Sequence, residues 1–343
     1  CFEHATATSL SLLLYDVTTL YFEVQKEDEY RRPGMSKERR LEPQITVGLL
    51  VGRDGFPLEI KSFEGNRAEV KTIMEVLFDF KSRHGLDEIT VTADAAMLSS
   101  ANINALEEMG YHYIIGSRIA KTPYEIEEYI ASVDAKLKDG QIFESSVSIN
   151  TGKGTRRAKR RVIYQYREKR AQLDLRNIDK TLAKAKSMVD GKAEFKRNRF
   201  LKVSGSKREI NHKLVEEAKR KAGIKGYVTD LGISAQEVID AYHQLFQVER
   251  SFRMSKSDLK ARPVFHHTRD CIEAHLTVVF TALAIARKIQ SATGLSIKKL
   301  VQRLALYRTA VVSLNSRLHR VPPHIPADVS AILEELDSRG CGH

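Results

Sequence analysis

Residues 44–63, QITVGLLVGRDGFPLEIKSF, decide the fold. Gln44–Val51 reads as a strand, Arg53-Asp54-Gly55 as a hairpin turn, and Pro57–Phe63 as the partner strand. Upstream, Leu10–Tyr15 (LSLLLY) is a short apolar run ending in Asp16, a buried strand with an acid at its C-terminal end. Downstream, Val70, Ile73, Met74, Val76, Leu77 and Phe80 recur at helical spacing between Arg67 and Arg83. Glu88–Ala93 (EITVTA) is a fourth strand, closed by Asp94. Ser99 or Ser100 caps a helix running to Met109, with Gly110 as its stop, and Tyr111–Gly116 (YHYIIG) is a fifth strand.

Strand, strand, strand, helix, strand, helix, strand predicts an α/β fold with a mixed five-stranded sheet flanked by helices. That order matches the ribonuclease-H-like fold, although the same string admits other threadings. Regularity breaks after Arg118. A basic α+β insertion is expected over residues 121–226, before the helix that starts at Ser234. It holds strands at Gln141–Ile149, Arg161–Tyr166 and Arg199–Val203, and helices at Arg167–Met188 and Arg208–Lys221. Gly226–Leu231 reads as a returning strand, Ser234 to about Ser255 as one helix, and Thr268–Gln290 as another. The expected divisions are 1–120 and 227–290 for a core in two parts, 121–226 for the insertion, and 291–343 for a C-terminal helical segment with a helix at Ser296–Arg308.

The chain has 343 residues, 42% hydrophobic and 29% charged, which excludes wholesale disorder and allows a large core. The longest mostly apolar run, Leu276–Ala286, is too short to span a bilayer, so no membrane role is expected. Cys1, Cys271 and Cys341 are odd in number and scattered, which excludes a disulfide scaffold and a CxxC zinc site and points to a reducing cytoplasm. No secretory signal is visible.

Net charge is +12, unevenly placed. Residues 151–225 hold 25 Lys/Arg against 8 Asp/Glu, and the remainder of the chain is slightly acidic. One basic cluster alone is ordinarily a solvated face. A whole stretch of this length, running through folded segments, points to a polyanion, and nucleic acid is the commonest.

An acid after an apolar strand is usually a turn former. Asp16 and Asp94, both ending strands of one sheet, also fit a functional crevice. On the helix from Ser234, Tyr242, Leu245, Glu249 and Lys256 fall at i, i+3, i+7 and i+14, sharing one face. The plain alternative is an amphipathic helix with Glu249 paired to Arg253. Three carboxylates on a basic protein suit phosphodiester chemistry. Two magnesium ions would neutralise the phosphate and activate a water or 3′-hydroxyl, and magnesium prefers oxygen ligands.

At these residues the sequence resembles the DDE transposases of bacterial insertion sequences, in the insertion-sequence-four-like group. Four blocks carry the resemblance: Tyr15–Phe22, Gly48–Asn66, Ala93–Ser99 and Tyr242–Lys256. The last fits a Tyr-x2-Arg-x3-Glu-x6-Lys signature, except that Leu245 stands where Arg is usual. The resemblance spans roughly residues 10–290. It implies a ribonuclease-H-like core in which Asp16, Asp94 and Glu249 are the catalytic, metal-binding triad for two Mg2+, with Mn2+ as a substitute. Tyr242, Arg253 and Lys256 would contact DNA, Lys256 through a phosphate, and Arg253 or Arg250 would replace the missing Arg. The partners would be the insertion-sequence ends and a target, in a bacterial cytoplasm at the nucleoid. A homodimer fits the need to join two ends, though no residue shows it. Only 15 residues precede Asp16, where the group carries a DNA-recognition segment, so a truncated transposase is expected.

Two rivals stay open: a structure-specific nuclease using the same triad, and a non-catalytic DNA-binding remnant. Elsewhere, His266, His267, His275 and Asp270 read as surface or capping residues before they read as a metal site. Phe246 and Phe252 read as core, and Gly65-Asn66 as a turn.

Overall fold

The computed structural model describes residues 12–23, 26–34, 42–85, 89–95, 99–117, 119, 122–133, 137–150, 157–194, 196–204, 207–314 and 317–340. The sequence readings at Cys1, Leu10, Ser11, Glu88, residues 96–98, 151–156 and Cys341 lie outside them. The chain opens with β1 (Leu12–Tyr21), β2 (Gln44–Gly52), β3 (Pro57–Glu64), α1 (Glu69–His84), β4 (Thr90–Ala93), α2 (Ser100–Glu108) and β5 (His112–Ser117). There follow α3 (Tyr124–Val133), β6 (Ile142–Asn150), β7 (Arg157–Tyr166), α4 (Glu168–Val189), β8 (Leu201–Ser204), β9 (Lys207–Ile210), α5 (His212–Arg220) and β10 (Ile224–Thr229). The rest is α6 (Ala235–His243), α7 (Phe246–Ser257), α8 (Arg269–Thr293), α9 (Ile297–Leu304), β11 (Ala310–Leu314), β12 (Arg317–Val321) and α10 (Ala327–Gly340). This is a mixed α/β chain. It divides into two compact units, one of Cys1–Leu86 with Gln244–His343 and one of Asp87–His243, so the divisions fall elsewhere than near 120, 226 and 290.

In the first unit β1 and β3 flank β2, both antiparallel to it. The hairpin closes as expected. Gly55 takes a left-handed φ of +83°, and the Asp54 carboxylate accepts the Phe56 amide at 3.0 Å. Alternation along β1 sends successive side chains to opposite faces. Tyr15 points to α1, donating its hydroxyl to Thr72 Oγ1 at 2.8 Å. Thr18 points the other way and accepts the Lys256 ammonium of α7 at 2.6 Å. On that second face Leu20, Ile45 and Val47 pack against Ile272 and Leu276 of α8. Each such buried aliphatic contributes about 1.5–3 kcal/mol of transfer free energy.

In the second unit β4 runs parallel to β5 through α2, whose N-cap Ser99 accepts the Asn102 amide at 3.0 Å. The strands run β4-β5-β10-β7-β6, with β10 antiparallel to both β5 and β7. The five-strand expectation is thereby corrected, because β5 is followed by three further strands. Two of them, β6 and β7, come from the expected insertion. Residues 208–221 are not one helix: Lys207–Ile210 pairs with Leu201–Ser204, and Asn211 then caps α5. Ile178, Ala185, Phe200 and Val215 give α4, α5 and this hairpin a small core of their own.

The single helix expected from Ser234 is also corrected. It breaks into α6 and α7 at Gln244-Leu245, where Gln247 N–H reaches Gln244 O and Val248 N–H reaches Leu245 O, both spaced by three residues. The unit boundary falls at this break. Phe246, expected in the core, opens α7 half-exposed, whereas Phe252 is buried.

Candidate functional site

Asp94 follows β4, whose Val91, Thr92 and Ala93 are fully buried, so the strand delivers an exposed carboxylate at its C-terminal end. One oxygen, Oδ1, accepts both the Ala95 amide at 2.7 Å and the Tyr242 hydroxyl at 2.9 Å. Tyr242 sits in the last turn of α6, 4% exposed. Burial, then the Asp94 charge, holds its hydroxyl protonated far above the usual phenol range, so it serves Asp94 as a donor. The Tyr227 ring meets the Tyr242 ring edge-on at 4.8 Å, and the Lys225 ammonium lies 4.1 Å from the Tyr242 centroid. Gly116 of β5 makes the room. A Cβ there would come within 2.7 Å of the Tyr242 hydroxyl and 3.0 Å of the Ala95 nitrogen.

In the first unit Asp16 is partly buried and opposite Leu49. It stands within β1 rather than at its end, because Val17–Tyr21 continues the ladder against β2 as far as Gln44. The two-residue period puts Asp16 on the face of Thr18, the one α7 covers. Glu249 is exposed in the first turn of α7, where a carboxylate complements the helix dipole. Lys256 lies two turns on, at i+7, tied to Thr18. Arg253 is exposed, and among the described residues no ion pair joins it to Glu249.

Each unit therefore brings together some of the expected residues: Tyr242 and Asp94 in one, Lys256 with the Asp16 face of β1 in the other. Among the described residues no three His, Cys, Asp or Glu side chains are grouped so as to hold a metal ion. That includes the histidines, where His275 meets the Ala261 carbonyl and His267 meets Arg31. Among the described residues no helix is long and apolar enough to cross a membrane.

Residues 8–285 match the family described as "Transposase DDE domain". The chain belongs to the transposase DDE domain family. No curated protein matches it in sequence. Among solved structures it is similar to the piggyBac transposase synaptic complex with hairpin DNA, at 9% identity and a TM-score of 0.45, over 82% of this chain and 47% of that one. The chain thus spans about half the length of that neighbour. An Argonaute from Aquifex aeolicus aligns at 7% identity and a TM-score of 0.23, over 68% of this chain and 24% of that one.

Sequence reasoning about this DDE-domain chain missed three residues. Gly116 and Lys225 support Tyr242, as above. Arg287 of α8 is buried. It donates through Nη2 to Gln247 O and to Ser251 Oγ, both at 2.7 Å, and so fixes the start of the helix that carries Glu249. Burial, helped by Arg250, pushes its pKa down to about 10. Gly116 alone left a signal, a glycine inside a strand, which marks close approach of another group.

Proposed function

We propose that this chain is the catalytic part of a DNA transposase of the insertion-sequence-four-like group, with a ribonuclease-H-like core and an Asp16-Asp94-Glu249 triad. The observation that carries the reading is the hydrogen bond from Tyr242 to Asp94. Two residues singled out on separate grounds in the sequence, 148 positions apart, meet at the C-terminal end of β4.

The donor set suits a hard divalent cation, being all carboxylate and partly or fully exposed. Asp94 takes both of its hydrogen bonds on Oδ1, so the second oxygen is the one presented. Asp16, Asp94 and Glu249 would hold magnesium, which when bound supplies phosphate charge neutralisation and eases deprotonation of the attacking hydroxyl. Tyr242 keeps the Asp94 carboxylate from rotating. Lys256, at the edge of β1, provides a cation for a phosphate of the bound strand. The basic stretch between residues 151 and 225 would hold DNA through its backbone, which positions a duplex without reading its sequence.

Asp94→Asn tests this, since the amide oxygen still accepts from Tyr242. Magnesium-dependent nicking of DNA should fall more than about 100-fold, while DNA affinity in EDTA stays at the parent value. A parent chain that nicks under no divalent metal would instead be a binding remnant. One that nicks but joins no pre-cut end to a target would be a nuclease.

A further inference from the structure

Leu300 of α9 and Val329 of α10 are buried, and between them no described residue is. The hairpin of β11 and β12 lies in that interval, paired from Ala310 and Val321 to Leu314 and Arg317. All five residues of β12 are exposed. Side-chain alternation gives the hairpin two faces, one with Val312, Arg317 and His319, the other with Val311, Leu318 and Arg320. Leu318 is 75% exposed and Val311 60%. Neither face has a core beneath it, and a lone two-stranded hairpin is at best marginally stable in water. Its side chains are set out for a partner.

Charge decides which partner. Residues 296–327 hold Lys298, Lys299, Arg303, Arg308, Arg317 and Arg320, without a single Asp or Glu. Among the described residues neither Arg317 nor Arg320 makes an ion pair or a side-chain hydrogen bond. A second copy docked here by two-fold symmetry would set these guanidiniums against their like, which opposes association. A polyanion is the complement. Tyr307, half-buried, is the one aromatic residue of phenylalanine, tyrosine or tryptophan type in the stretch, so unpaired bases find no stacking platform. Duplex DNA fits better. Its major groove, about 12 Å wide, admits a two-stranded ribbon. The five residues of β12 extend about 17 Å, half a turn of duplex. Each face sets an arginine among aliphatic side chains, the contacts that meet guanine and the thymine methyl.

Resting on the transposase reading, we propose that the β11–β12 hairpin enters the major groove of duplex DNA, with Arg317 and Arg320 as its cationic contacts. This is a second DNA surface, remote in sequence from the basic stretch at residues 151–225 and from the three carboxylates.

The test uses the full chain and a labelled duplex in EDTA, so no cleavage enters. Dimethyl sulfate separates the grooves, because guanine N7 lies in the major groove and adenine N3 in the minor. The parent should shield guanine N7, and R317Q/R320Q should give most of that protection back at equal occupancy. At 100 mM salt the variant's affinity should fall about tenfold or more, with a salt slope shallower by about 0.9–1.8 for one or two lost phosphate contacts. Both side chains are exposed, so an unchanged urea midpoint should report that the variant is folded. Guanine protection and a salt slope equal in parent and variant would overturn the proposal. So would Leu318→Ser dissociating an oligomer while leaving the protection intact, which would assign the hairpin to a second copy. If the parent nicks DNA yet shields no guanine that the variant exposes, this inference fails and the transposase reading stands.

Discussion

Two donors converge on Asp94 Oδ1, and they are not equally replaceable. The Ala95 amide is backbone, whereas the Tyr242 hydroxyl is a single removable oxygen. Tyr242→Phe should lower magnesium-dependent cleavage by about 10–100-fold, the usual cost of losing an outer hydrogen bond to a metal ligand. Stability should change by only about 0.5–1.5 kcal/mol. Gly116→Ala should do at least as much damage through a different cause. Its methyl would come within 2.7 Å of the Tyr242 hydroxyl, closer than van der Waals contact allows, and within 3.0 Å of the Ala95 nitrogen. Double-mutant kinetics check the link: once Phe stands at 242, Ala at 116 should cost less than it does in the parent. Asp94 was legible in sequence because strand-then-acid is a local pattern. Its partner was legible as a motif residue, but the contact between them was not, since nothing local to either residue specifies it.

Among the elements, α2 is held to β5 and β7 by a polar knot. Arg160 of β7, 5% exposed, donates Nε and Nη2 to the two Glu107 oxygens at 2.8 and 2.7 Å, and Tyr113 of β5 donates to Glu107 Oε1 at 3.0 Å. The Arg160 bonds hold the Glu107 carboxyl below its ordinary range. A depressed carboxylate pKa adds stability that is present above the unfolded value and lost as pH falls through the folded one. Below about pH 4.5 the parent should therefore lose stability that Glu107→Gln lacks at every pH. At neutral pH Glu107→Gln should cost about 1–3 kcal/mol, less than a fully buried pair because the carboxylate is partly exposed. Urea denaturation from pH 3 to pH 7 would check both. The break between α6 and α7 is an element-scale outcome that periodicity hid. The stripe from Tyr242 to Lys256 fits one continuous helix, and no proline or glycine interrupts it. Tertiary anchors set the break: Tyr242 is held at Asp94, while Ser251 and Gln247 are held by Arg287.

At the scale of the whole molecule, the charge concentrated between residues 151 and 225 should dominate affinity for plain duplex DNA. With six or more phosphate contacts, that affinity should drop about 10³-fold or further between 50 and 200 mM salt. Fluorescence anisotropy across a salt series would check this, and a nearly flat dependence would mean that the basic stretch does not touch the backbone. The same stretch illustrates the limit of reading boundaries from composition. Charge marked residues 121–226 as separate, yet β6 and β7 hydrogen-bond onward to β10 and share its unit. Net charge reports on partners and solubility and says nothing about strand pairing.

Sequence by itself determined the mixed α/β class, the first five strands with their two helices, the location of the excess charge, and the acids that strands and helices carry. All of these are written in patterns of a few neighbouring residues, where side-chain period and turn chemistry act. Tertiary structure alone decided that Tyr242 serves Asp94, that Gly116 and Lys225 make that contact possible, that Arg287 sets the start of α7, and that the long helix is two. Each of those depends on atoms brought together from distant parts of the chain, and only close packing selects which distant atoms meet.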